Sequence, residues 1–255
     1  MAKKPKYILM KTSNKLLLLL LILILSAIGI LIGIARNYTR NSFIPPSGEI
    51  IIDKRPVEAF SRLHVQGKIK VILTTNSAET LELKGDKNFL KSIRTTFRDG
   101  DLYIKAVFKT NSDQVTTVLL NTASIETLDF SAGSSLECSD TIVSKKLNMI
   151  FNGGSQVKMK IKCEEALLSC SSGVIIELKG SADYFRIYSS HGSLIDASNL
   201  IARKGSLEGT NGSVMSVNIT QEIEGTISNG AVVNNLGNPL INNVEVKTGA
   251  TFNKK

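Results

Sequence analysis

"GTNGSVMSVN", residues 209–218, sets a Thr-Asn-Gly-Ser knot in front of Val214, Met215 and Val217. The knot has the composition of a turn, and the alternation behind it is that of a strand. A glycine in such a place either makes a bend or lets backbone approach a ligand closely. Repetition distinguishes the two. The same knot recurs as "SAGSSLEC", "NGGSQVKM", "SSGVIIEL", "SHGSLIDA", "SNGAVVNN" and, more weakly, "KTGATF". The aligned glycines are Gly133, Gly154, Gly173, Gly192, Gly212, Gly230 and Gly249, spaced by 21, 19, 19, 20, 18 and 19 residues.

The flanks keep register with the glycines. Five residues before each stand Leu128, Met149, Leu168, Ile187, Leu207, Gly225 and Val244, and three residues after stand Leu136, Val157, Ile176, Ile195, Met215, Val233 and Phe252. Two residues before come Ser131, Asn152, Ser171, Ser190, Thr210 and Ser228, then Lys247. A unit of about 20 residues with strand periodicity cannot bury its own apolar side, but stacked units can. A chain of hairpins would need a strong turn signal about every ten residues and would not place like positions side by side. A parallel coil lays each position over its equivalent about 4.8 Å away, which turns every column into a ladder. The sequence therefore predicts an all-β, parallel β-helix-like solenoid with coils of about 20 residues. The (Ser/Thr/Asn)-x-Gly knot forms the corner, and the glycine makes a turn.

Upstream, "RPVEAFSRLHVQGKIKVILTT" alternates Leu63, Val65, Ile69, Val71 and Leu73 with polar residues, the pattern of half-buried strands. "ETLELKG" and "DGDLYIKAVF" repeat it, Asp99-Gly100 marks a hairpin turn, and "NFLKSI" suggests one turn of helix. Further upstream, "KLLLLLLILILSAIGILIGIAR" runs without charge from residue 16 to residue 35. That is long enough as a helix to span about 30 Å of hydrocarbon. It is longer than the apolar core of a cleaved signal and lacks an Ala-x-Ala site, so it is expected to be an uncleaved anchor. "NYTRNSFIPPSGE" after it has the composition of a spacer.

Charge supports this layout. The net charge is +9, but residues 1–40 hold seven basic and no acidic residues, which leaves 24 basic against 22 acidic, or +2, downstream. A nucleic-acid binder carries its basic excess on the folded surface, so nucleic acid is not an expected partner. Five lysines precede the apolar run, which predicts an inside N-terminus and an extracytoplasmic C-terminal domain. The expected layout is a cytoplasmic tail 1–15, a transmembrane helix 16–35, a linker 36–54 and a β domain 55–255. Within that domain, 55–126 form N-terminal strands and 127–252 the repeat coils.

"RPVEAFSRLHVQGKIKVILTT", then "NFLKSIRTTFRDGDLYI", then the S-x-G-S units resemble the head GIN domain family of auto-transporter adhesins over about residues 55–252. The resemblance implies a right-handed parallel β-helix-like fold, and its family name points to adhesion. The chain departs from the family pattern where a long apolar anchor replaces a cleaved signal or lipoprotein cysteine. "SSGVII" and "SNGAVVNN" also lose the serine after glycine.

Candidate chemistry is sparse. Of the two histidines, His64 is expected to face solvent by alternation, and His191 to be a solvated corner residue. Ser189 and Ser190 beside it are adjacent in a strand and point to opposite faces, so they make no nucleophile pair. Asp129, Asp140, Asp183 and Asp196 fall at different offsets from the glycines, and no Trp and few aromatics supply a sugar-cleaving groove. Cys138, Cys163 and Cys170 form no CxxC and are expected as buried hydrophobes. No catalytic, cofactor-binding or metal-ligating residue is assigned, and no cofactor is expected. The expected function is a non-catalytic, membrane-anchored binding or adhesion module of the cell envelope, whose partner is an envelope protein or a glycan. The alternatives are a scaffold stacking through its solenoid and a polysaccharide-active β-helix enzyme.

Overall fold

The computed structural model describes residues 12–40, 43–75, 78–106 and 114–254. Each knot is a turn with two successive residues in the left-handed region. At the third knot these are Ser172 (φ 65°) and Gly173 (φ 72°), and at the fifth Asn211 (φ 52°) and Gly212 (φ 70°). The glycine amide then donates to the carbonyl of the residue before the next glycine, one coil on. Gly133 reaches Gly153 at 2.9 Å, Gly173 reaches His191 at 3.0 Å and Gly212 reaches Asn229 at 3.0 Å. The corner is thus a hydrogen-bonded ladder along the stack, and it satisfies backbone groups that a bend would otherwise strand.

In chain order, the elements are an apolar helix α1 (Thr12–Arg40) and the strands β1 (Ile50–Arg55), β2 (Arg62–Gln66), β3 (Ile69–Thr74) and β4 (Thr80–Asp86), then a short helix α2 (Lys87–Lys91). There follow β5 (Ile93–Arg98), β6 (Asp101–Ala106), β7 (Thr116–Asn121), β8 (Thr127–Ser131), β9 (Ser135–Asn152), β10 (Gln156–Ser171) and β11 (Ile175–Ser189). The last are β12 (Leu194–Gly209), β13 (Val214–Ile227), β14 (Val232–Asn235), β15 (Ile241–Val246) and β16 (Thr251–Lys254). All pairings from β8 to β16 are parallel. The columns of the sequence are its rungs: Leu168 pairs with Met149 and Ile187, and Ile176 with Val157 and Ile195. Their side chains form one continuous interior with Leu128, Leu136 and Met215. The residue after each glycine also points inward, where Ser134, Ser155, Ser193 and Ser213 are buried beside Val174 and Ala231. Serine, alanine and valine all fit that inward position, so Val174, Ala231 and Ala250 can stand where the other units have serine.

The stretch 55–126 differs from expectation, because it is itself built of coils. Leu63 of β2 lies over Leu128, and Val71 of β3 over Leu136, so β2–β3 is the coil beneath β8–β9. On the other side, β6 and β7 pair in parallel with β2 and β3, forming a further coil. Stacking order therefore departs from chain order. The hairpin at Asp99-Gly100 exists, with β5 antiparallel to β6, and β4 and β1 extend the sheet antiparallel from β7.

The expected linker 36–54 is also tied down along part of its length, since β1 begins at Ile50. The buried Asp86 accepts from the backbone of Ser47 at 2.7 Å, of Gly48 at 2.9 Å and of Asn88 at 2.9 Å, the last capping α2. Burial works to raise its pKa, but these bonds and the one from the Ser47 hydroxyl outweigh it and hold the carboxyl below its ordinary value. Four donors converging on one carboxylate were not visible in a spacer composition.

The helix α1 is taken by itself. Asn14–Gly33 is long and apolar enough to cross a membrane, and its side chains are exposed throughout. Its one hydroxyl in that span, Ser26, donates to the Leu23 carbonyl at 2.8 Å, so it needs no water. The helix runs beyond the expected 16–35 at both ends. Of the expected tail 1–15, residues 1–11 lie outside the described residues.

Candidate binding face

Strand alternation sends every second side chain outward, and parallel stacking gathers equivalent ones into rows. On the face preceding the corner, one row runs through Gln66, Ser131, Asn152, Ser171 and Ser190 to Thr210. Its hydroxyls and amides bond one another, as in Ser171 Oγ to Asn152 Oδ1 at 2.8 Å and Ser228 Oγ to Thr210 Oγ1 at 3.3 Å. The neighbouring row contains Tyr103, His64, Asp129, Ile150, Ser169, Tyr188 and Glu208. Between the two rows lies an open groove of about 270 Å³, lined among others by Ser169, Ser171, Tyr188, Ser190, Glu208 and Thr210. Tyr188 is 41% exposed. Neither its hydroxyl nor the Ser169 hydroxyl nor the Glu208 carboxylate makes a hydrogen bond or ion pair among the described residues.

One step outward on the coil of Tyr188 stands Arg186, half-buried. Its Nη2 donates to Tyr184 Oη at 3.3 Å, and its guanidinium carbon lies 5.4 Å from the Tyr184 ring centre. That hydrogen bond, with the electrostatic pull of Tyr184, Tyr188 and the more distant Glu165, raises the arginine's pKa. No carboxylate pairs with it among the described residues, and its Nε is buried without a partner. This group matches no catalytic, metal-binding or repeat motif in the sequence. Its signal was "YFRIY", residues 184–188, in which period two places Tyr184, Arg186 and Tyr188 on one outward side.

The singled-out residues disperse. His64 does lie outward, but not in free solvent. Its ring stacks on Tyr103 at 4.6 Å, and Nδ1 lies 3.1 Å from Asp129 Oδ2. Alternation predicts which way a side chain points, whereas the stack adds a neighbour above and below. Beside this pair, Asp101 accepts from Tyr103 Oη at 2.9 Å and from Arg62. Burial would raise the Asp101 pKa, and its bonds to Arg62 and Tyr103 lower it below the usual range. His191 is an exposed corner residue, with Nδ1 at 3.0 Å from Ser190 Oγ. Ser189 is buried while Ser190 looks outward, as alternation requires.

The acids do not converge. Asp140 accepts from the Thr75 amide at 2.9 Å, Asp183 faces Arg203 at 3.4 Å, and Asp196 holds the Ser198 hydroxyl at 2.6 Å. On the face after the corner, Lys70–Glu137 at 2.7 Å and Lys158–Glu177 at 3.1 Å are solvated pairs of little energetic weight. The three cysteines are free and buried, and burial pushes the Cys138 and Cys163 thiols up to about 11. Among the described residues, no three or more His, Cys, Asp or Glu side chains are grouped to hold a metal.

No curated protein matches the sequence. Solved structures share the fold. A protein described as a putative adhesin from Bacteroides fragilis NCTC 9343 superposes with a TM-score of 0.78 at 17% identity, covering 83% of this chain and all of that one. A putative adhesin from Parabacteroides merdae ATCC 43184 gives 0.67 at 12% identity, over 84% of this chain and 99% of that one. A putative lipid binding protein from Parabacteroides distasonis ATCC 8503 gives 0.67 at 17% identity, with the same coverage. These neighbours are described by adhesion or lipid binding, not by catalysis. With the repeat corners, the parallel ladders and a match of residues 59–239 to the family described as "Putative auto-transporter adhesin, head GIN domain", this chain belongs to the head GIN domain family.

Proposed function

We propose that the chain is a single-pass membrane protein whose N-terminus is cytoplasmic and whose β domain works outside the cytoplasm as a non-catalytic binding or adhesion module. Residues 1–15 form the inside tail, 16–35 the span, and the stretch before β1 the connection to the domain. The observation that carries this is the outer face of the coils. Rows of hydroxyl and amide side chains repeat about every 4.8 Å on a stiff parallel scaffold, beside polar groups with no partner of their own. Such a face offers preformed hydrogen-bonding sites at little ordering cost. Five lysines before the apolar run and two arginines soon after it support the orientation.

A second reading, a scaffold assembled end to end, is favoured by the coil edge of β15 and β16, where Leu240 is 94% and Ile241 47% exposed. Two measurements separate them. Protease added to intact cells or spheroplasts should digest the β domain and spare an N-terminal tag. Pull-down from the envelope fraction, paired with a glycan array, should then return a partner for the full-length chain in micelles. Filaments that lengthen with concentration, with no partner captured, would overturn the binding module in favour of the scaffold.

A further inference from the structure

We propose that Arg186, Tyr188 and the adjoining groove form a binding site for a sugar that carries a carboxylate. This deepens the binding-module reading and rests on it. Arg186 is the group that selects the ligand's charge. A guanidinium offers a planar fork matched to a carboxylate, and this one is half-buried, with a single hydrogen bond to the Tyr184 hydroxyl and no acid within ion-pair distance among the described residues. Lys70, Lys158 and Lys204 are already paired with glutamates, and Lys160 and Lys162, exposed and unpaired among the described residues, lack the planar fork.

Tyr188 supplies the second part. It lies two residues from Arg186 on the same side of the strand, about 6.6 Å along, and its exposed ring is a surface for the C–H face of a pyranose. The groove supplies the third. Ser169 and Glu208 flank Tyr188 on the coils to either side, and Ser190 and Thr210 lie beyond it on the side away from Arg186, where a sugar's hydroxyls find both donors and acceptors. A carboxylate at Arg186, a ring over Tyr188 and hydroxyls in the groove are thus met in order across one coil and its neighbours. A guanidinium with no carboxylate in ion-pair contact among the described residues, Glu165 acting on it only from a distance, favours an acidic sugar over a neutral one, and the hydroxyl-lined floor favours a sugar over an apolar acid.

The test titrates the full-length chain in detergent micelles with trigalacturonate, an alginate trisaccharide and sialyllactose, each beside an uncharged counterpart: the methyl esters of the first two, and lactose. At least one acid should bind, and its uncharged counterpart should bind about tenfold more weakly or worse. Arg186→Met should reduce the acid to the level of the uncharged sugar. Arg186→Lys, which keeps the charge without the fork, should fall between, and it carries the test if thermal unfolding shows the Met variant to be misfolded. Tyr188→Ala should weaken acid and ester alike. Equal binding of acid and ester, an Arg186→Met variant that binds like the native chain, or silence from every sugar would each overturn the site. A protein or neutral glycan captured in the envelope pull-down while these acids stay silent would remove this site and leave the binding module standing.

Discussion

From β8 to β16 the protein stacks in the order in which it is written, and from β1 to β7 it does not. In the first region, each residue's neighbour above is 17–21 positions along, close to the spacing of the corner glycines. In the second, β2–β3 is laid against β8–β9, and β6–β7 is laid outside it, with β4, β5 and α2 carrying the chain between. Both use the same inward columns, since Leu63 and Leu102 continue the row of Leu128. Coil geometry is therefore common to both regions, and sequence order is a convenience of one. Among the described residues, antiparallel strands occur only where the stack ends, at β5 against β6 and at β4 and β1 beyond β7. There they cover edges that further parallel coils would otherwise have to meet.

The largest effect should come from crowding backbone in the sequential region. Gly180 of β11 has φ +115°, and a Cβ there would sit 2.0 Å from the Ile161 carbonyl oxygen of the coil below. Neither atom is the end of a flexible side chain, so Gly180→Ala must displace one rung from another. The corner Gly173, also at positive φ, has open space where its Cβ would go. Gly173→Ala then carries only the strain of a left-handed alanine, about 1–2 kcal/mol. Gly180→Ala should lose clearly more, about 3 kcal/mol or above, read by denaturant unfolding. Equal losses would mean that rungs can shift apart freely, and the rigid-ladder picture would fail.

How much of this was legible follows from the same contrast. The columns at Leu128 and Leu136, the corner at Gly212 and the parallel pairing could be read because like residues recur at a fixed interval. The membership of β2–β3 and β6–β7 in the stack could not, because Gly67-Lys68 replaces the knot at that corner and one coil is entered out of order. Period two marked them as strands, but periodicity contains no information about which strand lies next to which. The binding face was half legible. Alternation foretold that Tyr184, Arg186 and Tyr188 share a side, whereas Arg186's lack of an acid depends on what the adjacent coils place beside it, namely Leu167 and Ser206. The outward direction of His64 was legible, but its partners were hidden for the same reason: Tyr103 and Asp129 are distant in sequence and adjacent only in the stack.

The non-sequential region is held by a device that the repeats lack. Asp86 draws residues 47 and 48 onto the start of α2, and its carboxyl pKa lies below the ordinary value. A depressed carboxyl contributes stability that is present above the unfolded pKa of about 3.9 and is lost as pH falls through the lower folded value. Asp86→Asn should lower the melting temperature by several degrees at neutral pH. It should also flatten the acid limb of the melting curve below about pH 4. Hydrogen exchange should rise first in β1 and α2 and leave the β10–β12 rungs protected. If protection fell evenly through all coils, the clamp would be part of the general core and the two regions would not differ in this respect.

The smallest effect is expected at one corner, and its sign is the informative part. Six of the seven knots place a side-chain-bearing residue in the left-handed region before the glycine, among them Asn211 and Asn229, a type that tolerates it well. His191 holds the same place at φ 52° and is exposed. Among the described residues its ring hydrogen-bonds to Ser190 Oγ at 3.0 Å and Asn211 Nδ2 at 3.4 Å, bonds that water can replace. His191→Gly removes the Cβ strain and leaves the ladder bond from Gly173 to the carbonyl of residue 191 in place. Backbone strain relieved at the corner should outweigh the glycine's added freedom in the unfolded chain, for a net gain of a few tenths of a kcal/mol and at most about 1. A loss of that size would show instead that the His191 ring is itself a rung, tying the Ser190 and Asn211 corners together through side chains rather than backbone.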